Sequence, residues 1–312
     1  MRVFSPDPAL IVLGQHATTE KINVWREQMG LNEPIVTQYL DYMNGVFHGD
    51  FGMSYFTNTP VVTELMARLP ATIELAIIAI IIASVIGVIF GVISAVKKNS
   101  FIDNFTMTTA LIGVSMPVFW LGMLLIILFS GILHWVPSGG RIDTLMKPFG
   151  GTGFYFYDTL IIGDYEAFFN ALSHAALPGI TLAGYSMAII TRMTRSSMLD
   201  VLHQDYIRTA KAKGLSNWTV IGKHAFRNAL LPIITVIGLQ FGALLSGAVL
   251  TETVFSWPGI GAYSVECILR SDFPVIQGVV LIVAFIFVFM NLIVDLLYAA
   301  LDPRVKYSSE GA

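Results

Sequence analysis

A basic segment separates two long apolar runs of this chain. It comprises residues 205–232, with the sequence DYIRTAKAKGLSNWTVIGKHAFRNALLP. Lys and Arg do not lie in hydrocarbon, and the positive loops of membrane proteins remain on the cytoplasmic side. Asp205 is expected to cap a short helix, Gly214 to end it in a left-handed conformation, and Ser216 to cap a second helix. Two short helices joined at a glycine would form a rigid cytoplasmic contact surface. The alternative interpretation is a topology signal without further function.

The second helix of this segment is expected to be amphipathic. Its pattern places Trp218, Ile221 and Ala225 on one face, with Lys223 and Arg227 elsewhere. Gly222 and Lys223 do not form a phosphate-binding loop, because the required Gly and Ser or Thr are missing from the flanking positions. The sequence therefore predicts no ATP site and no bound cofactor on this chain.

Ionisable residues at membrane depth are functional candidates by default. Glu252 lies near the outer end of one apolar run, and Asn291 and Asp295 are four residues apart in another. A proton relay is one interpretation, and a buried hydrogen bond is the favoured one, because no Lys, Arg or His accompanies the carboxylates. The six histidines are scattered and Cys267 is the only cysteine, so the sequence predicts neither a metal site nor an intrachain disulfide.

Two aromatic stretches are further candidates for a gate or a transport pathway. Pro117 and Trp120 lie in the first, where packing against a partner helix is the more common role of such residues. The second is TETVFSWPGIG, residues 251–261, with Trp257 and Pro258. This segment is expected to be an interfacial anchor, or alternatively a gate or a contact for an outer binding protein.

The elements that carry these residues are membrane helices. The chain has 312 residues, of which 55% are hydrophobic and only 12% are charged, against about 25% charged in soluble domains. The net charge of −3 predicts no affinity for nucleic acid. We therefore predict an all-α integral membrane protein with five spans of roughly 20 residues each, at about 73–96, 105–133, 175–191, 229–255 and 275–301.

Charge placement orients the five spans. Lys and Arg are concentrated after the first, third and fifth spans, which puts those three sides in the cytoplasm. The prediction divides the chain into an extracytoplasmic segment at 1–70, a membrane domain at 71–301 with a cytoplasmic loop at 192–228, and a cytoplasmic tail at 302–312. An outer segment of this length has no route across the membrane by itself, so we also expect that a first span, encoded upstream of Met1, is missing from this chain.

The loop at 192–228 resembles the coupling loop, or EAA-type motif, of permease subunits in binding-protein-dependent ABC importers. Gly214 and Ala210 match the general motif, whereas Arg208 and Thr209 replace its Glu and first Ala. These departures resemble the dipeptide, oligopeptide and nickel subfamily, in which DYIRTA, AKG and RNALLP recur. The stretches TETVFSWPGIG, DFPVIQG and NLIVDLLYAALDPR resemble the same subfamily, and HGDFGMSY and RLPATIEL resemble its B-type chain.

The resemblance implies a type I importer permease of the bacterial inner membrane that carries peptides. It implies a second, C-type permease chain, two cytoplasmic ATPases that hydrolyse the ATP, an extracytoplasmic binding protein, and surrounding lipid. The implied ATPase contacts are Asp205, Tyr206, Arg208, Ala210, Lys213, Gly214, His224 and Arg227. The alternatives are a nickel or glutathione importer of the same subfamily, a secondary transporter that works alone, and a membrane-embedded enzyme.

Overall fold

The computed structural model describes residues 7–14, 17–148 and 150–301. These residues form helices and loops, with a single isolated β-bridge between Met53 and Pro60. The helices are α1 (Pro8–Leu13), α2 (Thr19–Gln28), α3 (Ile35–Phe47), α4 (Val61–Val96), α5 (Phe101–Ser115), α6 (Val118–Leu125), α7 (Tyr155–Ile162), α8 (Tyr165–Leu202), α9 (Asp205–Ala212), α10 (Asn217–Thr219), α11 (Arg227–Gly247), α12 (Val249–Val254), α13 (Ile260–Arg270) and α14 (Phe273–Leu301). π-helical turns at Ile126–Ile132 and Val220–Phe226 follow α6 and precede α11.

Two long helices, α4 and α8, form the centre of the fold. They have 36 and 38 residues, and at 1.5 Å per residue each is roughly 55 Å long, well beyond the ~30 Å hydrocarbon core. Small residues line their contact. A Cβ atom on Gly91 would lie 2.5 Å from Cβ of Thr194, and one on Gly87 would lie 3.0 Å from Cγ2 of Ile190. The two backbones therefore approach closely through glycines.

Three apolar clusters follow α4 from one end to the other. At its start, Val61 and Leu65 pack with α13 and the beginning of α14. Along its middle, Leu75, Ala79 and their neighbours pack with α8 and α11. At its end, Ala95 packs with Met198 of α8 and with residues of α9 and α11. Helix α13 with the beginning of α14, and the loop at 192–228, are therefore attached to opposite ends of one helix.

By length and composition, three helical stretches are able to cross a membrane: Val61–Val96, Asn217–Gly247 and Phe273–Val294. The bent pair of α5 and α6 adds a fourth if the two helices together form one span. The predicted span at 175–191 lies within α8, which is long enough but less apolar. Thr181, Ser186 and Thr191 of α8 are buried inside the protein, so this helix does not need to present apolar side chains to lipid.

The predicted span at 105–133 is not one continuous helix. It breaks between α5 and α6, which meet at an angle of 107°. Pro117 stands immediately before α6, where its missing N–H costs nothing, and it holds Met116 in an extended conformation that a helix cannot continue through. The two helices together still form one bent candidate span, so the span at 105–133 stays a prediction.

The boundary predicted between residues 70 and 71 falls inside α4, which begins at Val61. Pro70 did not end the helix, and Glu64 and Arg68 form an i,i+4 ion pair in its polar first turns. The preceding segment is fastened to the start of α14, where Ser54 donates a hydrogen bond of 2.5 Å to Asp272. The predicted tail at 302–312 lies outside the described residues.

Candidate functional site

The loop at 192–228, which is predicted to couple to an ATPase and is called the coupling loop below, has a buried side and an exposed side. Ile207 and Ala210 of α9 are buried among residues at the ends of α4 and α8. Tyr206 and Arg208 face outward, with 44% and 82% of their surfaces exposed. The loop is thus anchored by apolar contacts to the membrane helices while its polar and aromatic side remains accessible.

The expected cap of α9 is wrong in detail. Gln204 occupies the N-cap position without a side-chain hydrogen bond, and Asp205 is the first helical residue. The Asp205 carboxylate instead lies 3.7 Å from a guanidinium nitrogen of Arg208. Both side chains are largely exposed, so this pair contributes little to stability.

Gly214 ends α9 as predicted. Its φ is +76°, and its N–H donates to the carbonyl of Lys211 at 3.0 Å while Leu215 N–H donates to that of Ala210 at 3.4 Å. A Cβ atom at Gly214 would meet no heavy atom within 4 Å. The glycine is therefore required by the left-handed backbone, not by lack of space.

The second half of the loop is continuous with a membrane helix. Ser216 caps it by accepting a hydrogen bond from Thr219 N–H at 3.3 Å, and the π turn then leads directly into α11. The wider π turn changes the helical spacing, so Trp218 and Ala225 do not share one face as predicted. Ala225 is buried, whereas Trp218 is 84% exposed. Val220, not Trp218, accompanies Ala225 in the apolar cluster.

The remaining loop candidates lie along the same surface. Lys213 and Arg227 are exposed, and His224 is half-buried. The carbonyl of His224 accepts a hydrogen bond from the Asn228 side chain at 2.7 Å.

Glu252 lies in a buried polar cluster at the other end of α4. It is completely buried, and its carboxylate accepts hydrogen bonds from Thr72 Oγ1 at 2.7 Å and Ala262 N–H at 2.9 Å. The second donor belongs to the first turn of α13, where a negative charge is favoured. Gly259 and Gly261 leave room for this carboxylate, because a Cβ atom at either would collide with it. Glu252 thus joins α4, α12 and α13.

Trp257 is part of the same cluster. It is fully buried, and its indole N–H donates to the carbonyl of Ala71 at 2.8 Å. The buried indole therefore cannot itself be an interfacial anchor or a contact for an outer protein. Pro258 of the same segment is exposed, so such a role for the segment stays a prediction. Trp257 lies in the turn between α12 and α13, and its indole points into the protein.

A buried ion pair next to this cluster was missed from the sequence. Arg141 donates to Glu74 at 2.5 and 3.2 Å and to the carbonyl of Gly153 at 2.6 Å. Glu74 also accepts from Phe156 N–H at 3.0 Å, and the guanidinium lies 3.7 Å from the ring centroid of Tyr155. Glu74 is an acid inside an apolar span, which could have marked it as a candidate. Its partner, 67 residues away, has no local signal.

A second pair joins α5 to α8 near the coupling loop. Arg195 donates two hydrogen bonds of 2.8 Å to Asp103, and Asp103 also accepts from Asn99 N–H at 2.9 Å and from Ser94. From the sequence, Arg195 was only one of the Lys and Arg residues after the third span that indicated topology. In the structure it is a fork-shaped contact between two helices.

The other pathway candidates are not gathered into one site. Pro117 and Trp120 lie at the exposed bend between α5 and α6. Asn291 is half-buried on α14, and its side-chain oxygen lies close to Gly242 of α11. Asp295 lies within α14, but its side chain falls outside the described residues. Within the described ranges, no three His, Cys, Asp or Glu residues are grouped as metal ligands.

Comparison with known proteins agrees with this architecture. Among solved structures, the fold is similar to the inward-facing MetNI methionine ABC transporter, with a TM-score of 0.56 at 16% identity over 74% of this chain and 93% of that chain. The chain is 50% identical over 301 residues to the dipeptide transport system permease protein DppB of Alkalihalophilus pseudofirmus, covering 96% of this chain and 90% of that protein. It is 46% identical over 309 residues to DppB of Escherichia coli K12, with the same coverage.

Two family profiles cover almost the whole sequence. Residues 2–76 match the N-terminal region of binding-protein-dependent transport system membrane components. Residues 87–307 match the binding-protein-dependent transport system inner membrane component. With its helical fold, its multiple apolar helices and these matches, the chain belongs to the family of binding-protein-dependent ABC importer permeases, which are multi-pass proteins of the inner membrane.

Proposed function

We propose that this chain is a permease subunit of an ATP-driven importer of short peptides. A second, C-type permease chain completes the pathway, two cytoplasmic ATPases hydrolyse the ATP, and an extracytoplasmic protein delivers the peptide. The chain itself binds no ATP and holds no cofactor. The observation that carries the proposal is the coupling loop, which is firmly attached to α4 and α8 on one side and open on the other.

The attachment explains how motion would pass from an ATPase to the membrane. Ile207 and Ala210 are buried against residues at the ends of α4 and α8, and α10 runs through the π turn into α11. A force on the exposed side of the loop is therefore transmitted to three membrane helices at once. Closure of two ATPases would pull two such loops together and swing the helices, which is rigid-body alternating access.

The substrate class rests on the relatives. Two carry names that specify dipeptide transport, and a third, 47% identical over 300 residues, is named a probable D,D-dipeptide transport system permease, DdpB, of E. coli K12. We infer a di- or oligopeptide substrate, with nickel or glutathione as the alternatives within the subfamily. Pro117, Trp120 and Asn291 remain our candidates for the pathway.

Uptake by cells that produce the complete system tests the substrate. Labelled dipeptide, glutathione and nickel are supplied to a host that lacks its own importers, with and without this chain. We expect ATP-dependent uptake of the dipeptide only when the chain is present. Uptake that survives depletion of ATP but collapses with the ion gradient would instead indicate a secondary transporter.

Replacement of Gly214 tests the coupling role. Gly214→Val forces a β-branched residue into a left-handed conformation at a site with ample space, whereas Gly214→Asn places there a residue that tolerates it. Both variants should insert into the membrane. In reconstituted vesicles, we expect Gly214→Val to lose at least about tenfold of the ATPase activity stimulated by binding protein, a loss equivalent to roughly 1.4 kcal/mol.

Gly214→Asn should retain most of that activity. Equal activities of the two variants would show that the left-handed turn does not matter for coupling. Equal loss in both would show that the glycine is needed for something other than its backbone conformation.

A further inference from the structure

A cavity of about 660 Å³ lies between the ends of α4 and α8 and the two halves of the coupling loop. Cationic or basic side chains line part of it: Lys98, His203, Arg208 and Lys211. Its volume is in the range of sites that hold small molecules. The cavity is separate from the Glu252 cluster and from the Glu74–Arg141 pair.

The charge inside this cavity is only partly neutralised. Arg208 lies near Asp205, at 3.7 Å, with both side chains exposed. Lys98 and Lys211 form no ion pair within the part of the chain that the structure describes. Arg195, by contrast, is committed to Asp103 in a bidentate pair. The cavity thus retains unpaired positive charge suited to an anion.

The opposite wall of the cavity is apolar. Ala95 and Val96 form the last turn of α4, and Leu199 and Leu202 form the last turn of α8. Lys97 and Lys98 follow α4 directly, which places the end of this apolar helix at the edge of the hydrocarbon core. Val96 is 43% exposed. A ligand here would meet apolar side chains toward the membrane and cations toward water.

We propose that this cavity binds the phosphate of an anionic phospholipid from the cytoplasmic leaflet. Cationic pockets between membrane helices on that side are suited to such headgroups, and the apolar wall would contact the lipid beyond its phosphate. Tyr206 and Trp218 do not line the cavity. Arg208 belongs both to the cavity lining and to the predicted ATPase contacts. A protein docked on the exposed aromatic side of the coupling loop and a lipid in the cavity would therefore share Arg208 and otherwise use different residues.

Two double variants distinguish a specific lipid site in the cavity from general attraction by surface charge. Lys98→Gln with Lys211→Gln removes two cations from the cavity, and Lys97→Gln with Lys223→Gln removes two exposed cations that do not line it. The purified importer complex is titrated with phosphatidylglycerol in detergent, and bound lipid is counted by native mass spectrometry. Phosphatidylcholine and inorganic phosphate serve as the neutral-lipid and free-anion probes.

We expect the cavity pair to raise the Kd for phosphatidylglycerol about ten- to thirtyfold, which follows from roughly 1 kcal/mol for each cation. The control pair should change it by less than about twofold, and equal melting temperatures of the two complexes show that both are folded. An equal loss of affinity in both pairs, or in neither, overturns the proposal. Inorganic phosphate that competes at concentrations similar to the lipid would also overturn it, because the acyl end would then contribute nothing.

The competing occupant is a segment of the ATPase. If the cavity pair retains its lipid but loses the co-purified ATPase, the cavity belongs to the ATPase contact and the lipid proposal fails. Peptide uptake by the unmodified chain is measured separately, so failure of this inference leaves the proposed transport function standing.

Discussion

At the scale of single residues, the Glu74–Arg141 pair connects the loop before α7 to the central helix α4. Both residues are almost fully buried, at 5% and 6% exposure. Their charges are surrounded by further donors and acceptors, including Phe156 N–H and the Gly153 carbonyl. A buried pair of this kind adds little compared with apolar residues of the same volume, but the loss of one partner leaves an unpaired charge. The pair therefore specifies where the loop sits on α4.

Substitution of one partner should be costly. We expect Arg141→Met to destabilise the folded protein by about 3–5 kcal/mol, because Glu74 would remain buried without its counter-charge. The double variant Glu74→Gln, Arg141→Met should recover a large part of this loss. Thermal unfolding in one detergent, followed by the loss of monodisperse protein, measures both.

An exposed pair provides the control for this prediction. Arg270 and Glu266 lie 2.8 Å apart, with half of each side chain exposed. Arg270→Met should change stability by no more than about 1 kcal/mol, because water screens the pair. Equally small losses of stability in Arg141→Met and Arg270→Met would contradict the conclusion that Glu74 is a buried charge that depends on Arg141.

At the scale of elements, the contact of α4 with α8 depends on glycines that let two backbones approach. A methyl group at Gly91 would meet the carbonyl of Thr191 at 2.7 Å as well as the Thr194 side chain. A backbone carbonyl cannot move aside as a flexible side chain can. The close packing of the two helices therefore leaves no space for a side chain at position 91.

Gly91→Ala should therefore destabilise the protein by about 1–3 kcal/mol through overpacking. The matched control is Gly247→Ala on α11, where a methyl group would meet no atom within 4 Å. That substitution should be neutral or stabilising by up to about 1 kcal/mol, because alanine favours the helix. Thermal unfolding of both variants checks the difference, and similar behaviour of the two would contradict the close approach of α4 and α8.

Local signals in the sequence were sufficient for some elements and not for others. The left-handed Gly214 and the Ser216 cap were predicted because both depend on residues within one turn. The 107° bend at Pro117 was not, since a proline in a membrane helix is often absorbed by neighbouring helices. The exposure of Trp218 depends on the π turn at Val220–Phe226, which no local pattern in the sequence predicted.

Long-range partners account for the rest. The hydrogen bond from Trp257 to the Ala71 carbonyl spans 186 residues, and that from Thr72 to Glu252 spans 180. Position in the sequence predicted that Glu252 lies near the outer end of a span and that Trp257 lies just beyond it. Whether they face lipid, water or protein is decided by how α4, α12 and α13 pack, which no local pattern encodes.

At the scale of the whole molecule, α4 links two differently built ends. Its beginning holds the Glu252 cluster and the Glu74–Arg141 pair, and its end packs against the coupling loop. Glu74 lies 13 residues after the start of α4, and Lys97 immediately follows its end. Any displacement of the coupling loop that tilts α4 must therefore also move the outer polar clusters, or break them. The positive charge at the loop end predicts that this end is cytoplasmic.

Thiol labelling tests this orientation in the complete protein. Native Cys267 is buried, and its burial raises the pKa of the thiol to about 11. Since thiolate is the reactive form and is scarce well below that pKa, Cys267 should not react with an impermeant maleimide at neutral pH. A cysteine at Leu145, a residue 99% exposed, should be labelled from outside intact cells, whereas one at Trp218 should be labelled only after the inner membrane is opened. Labelling of Leu145→Cys and Trp218→Cys from the same side would show that these two ends of the molecule do not lie on opposite sides of the membrane.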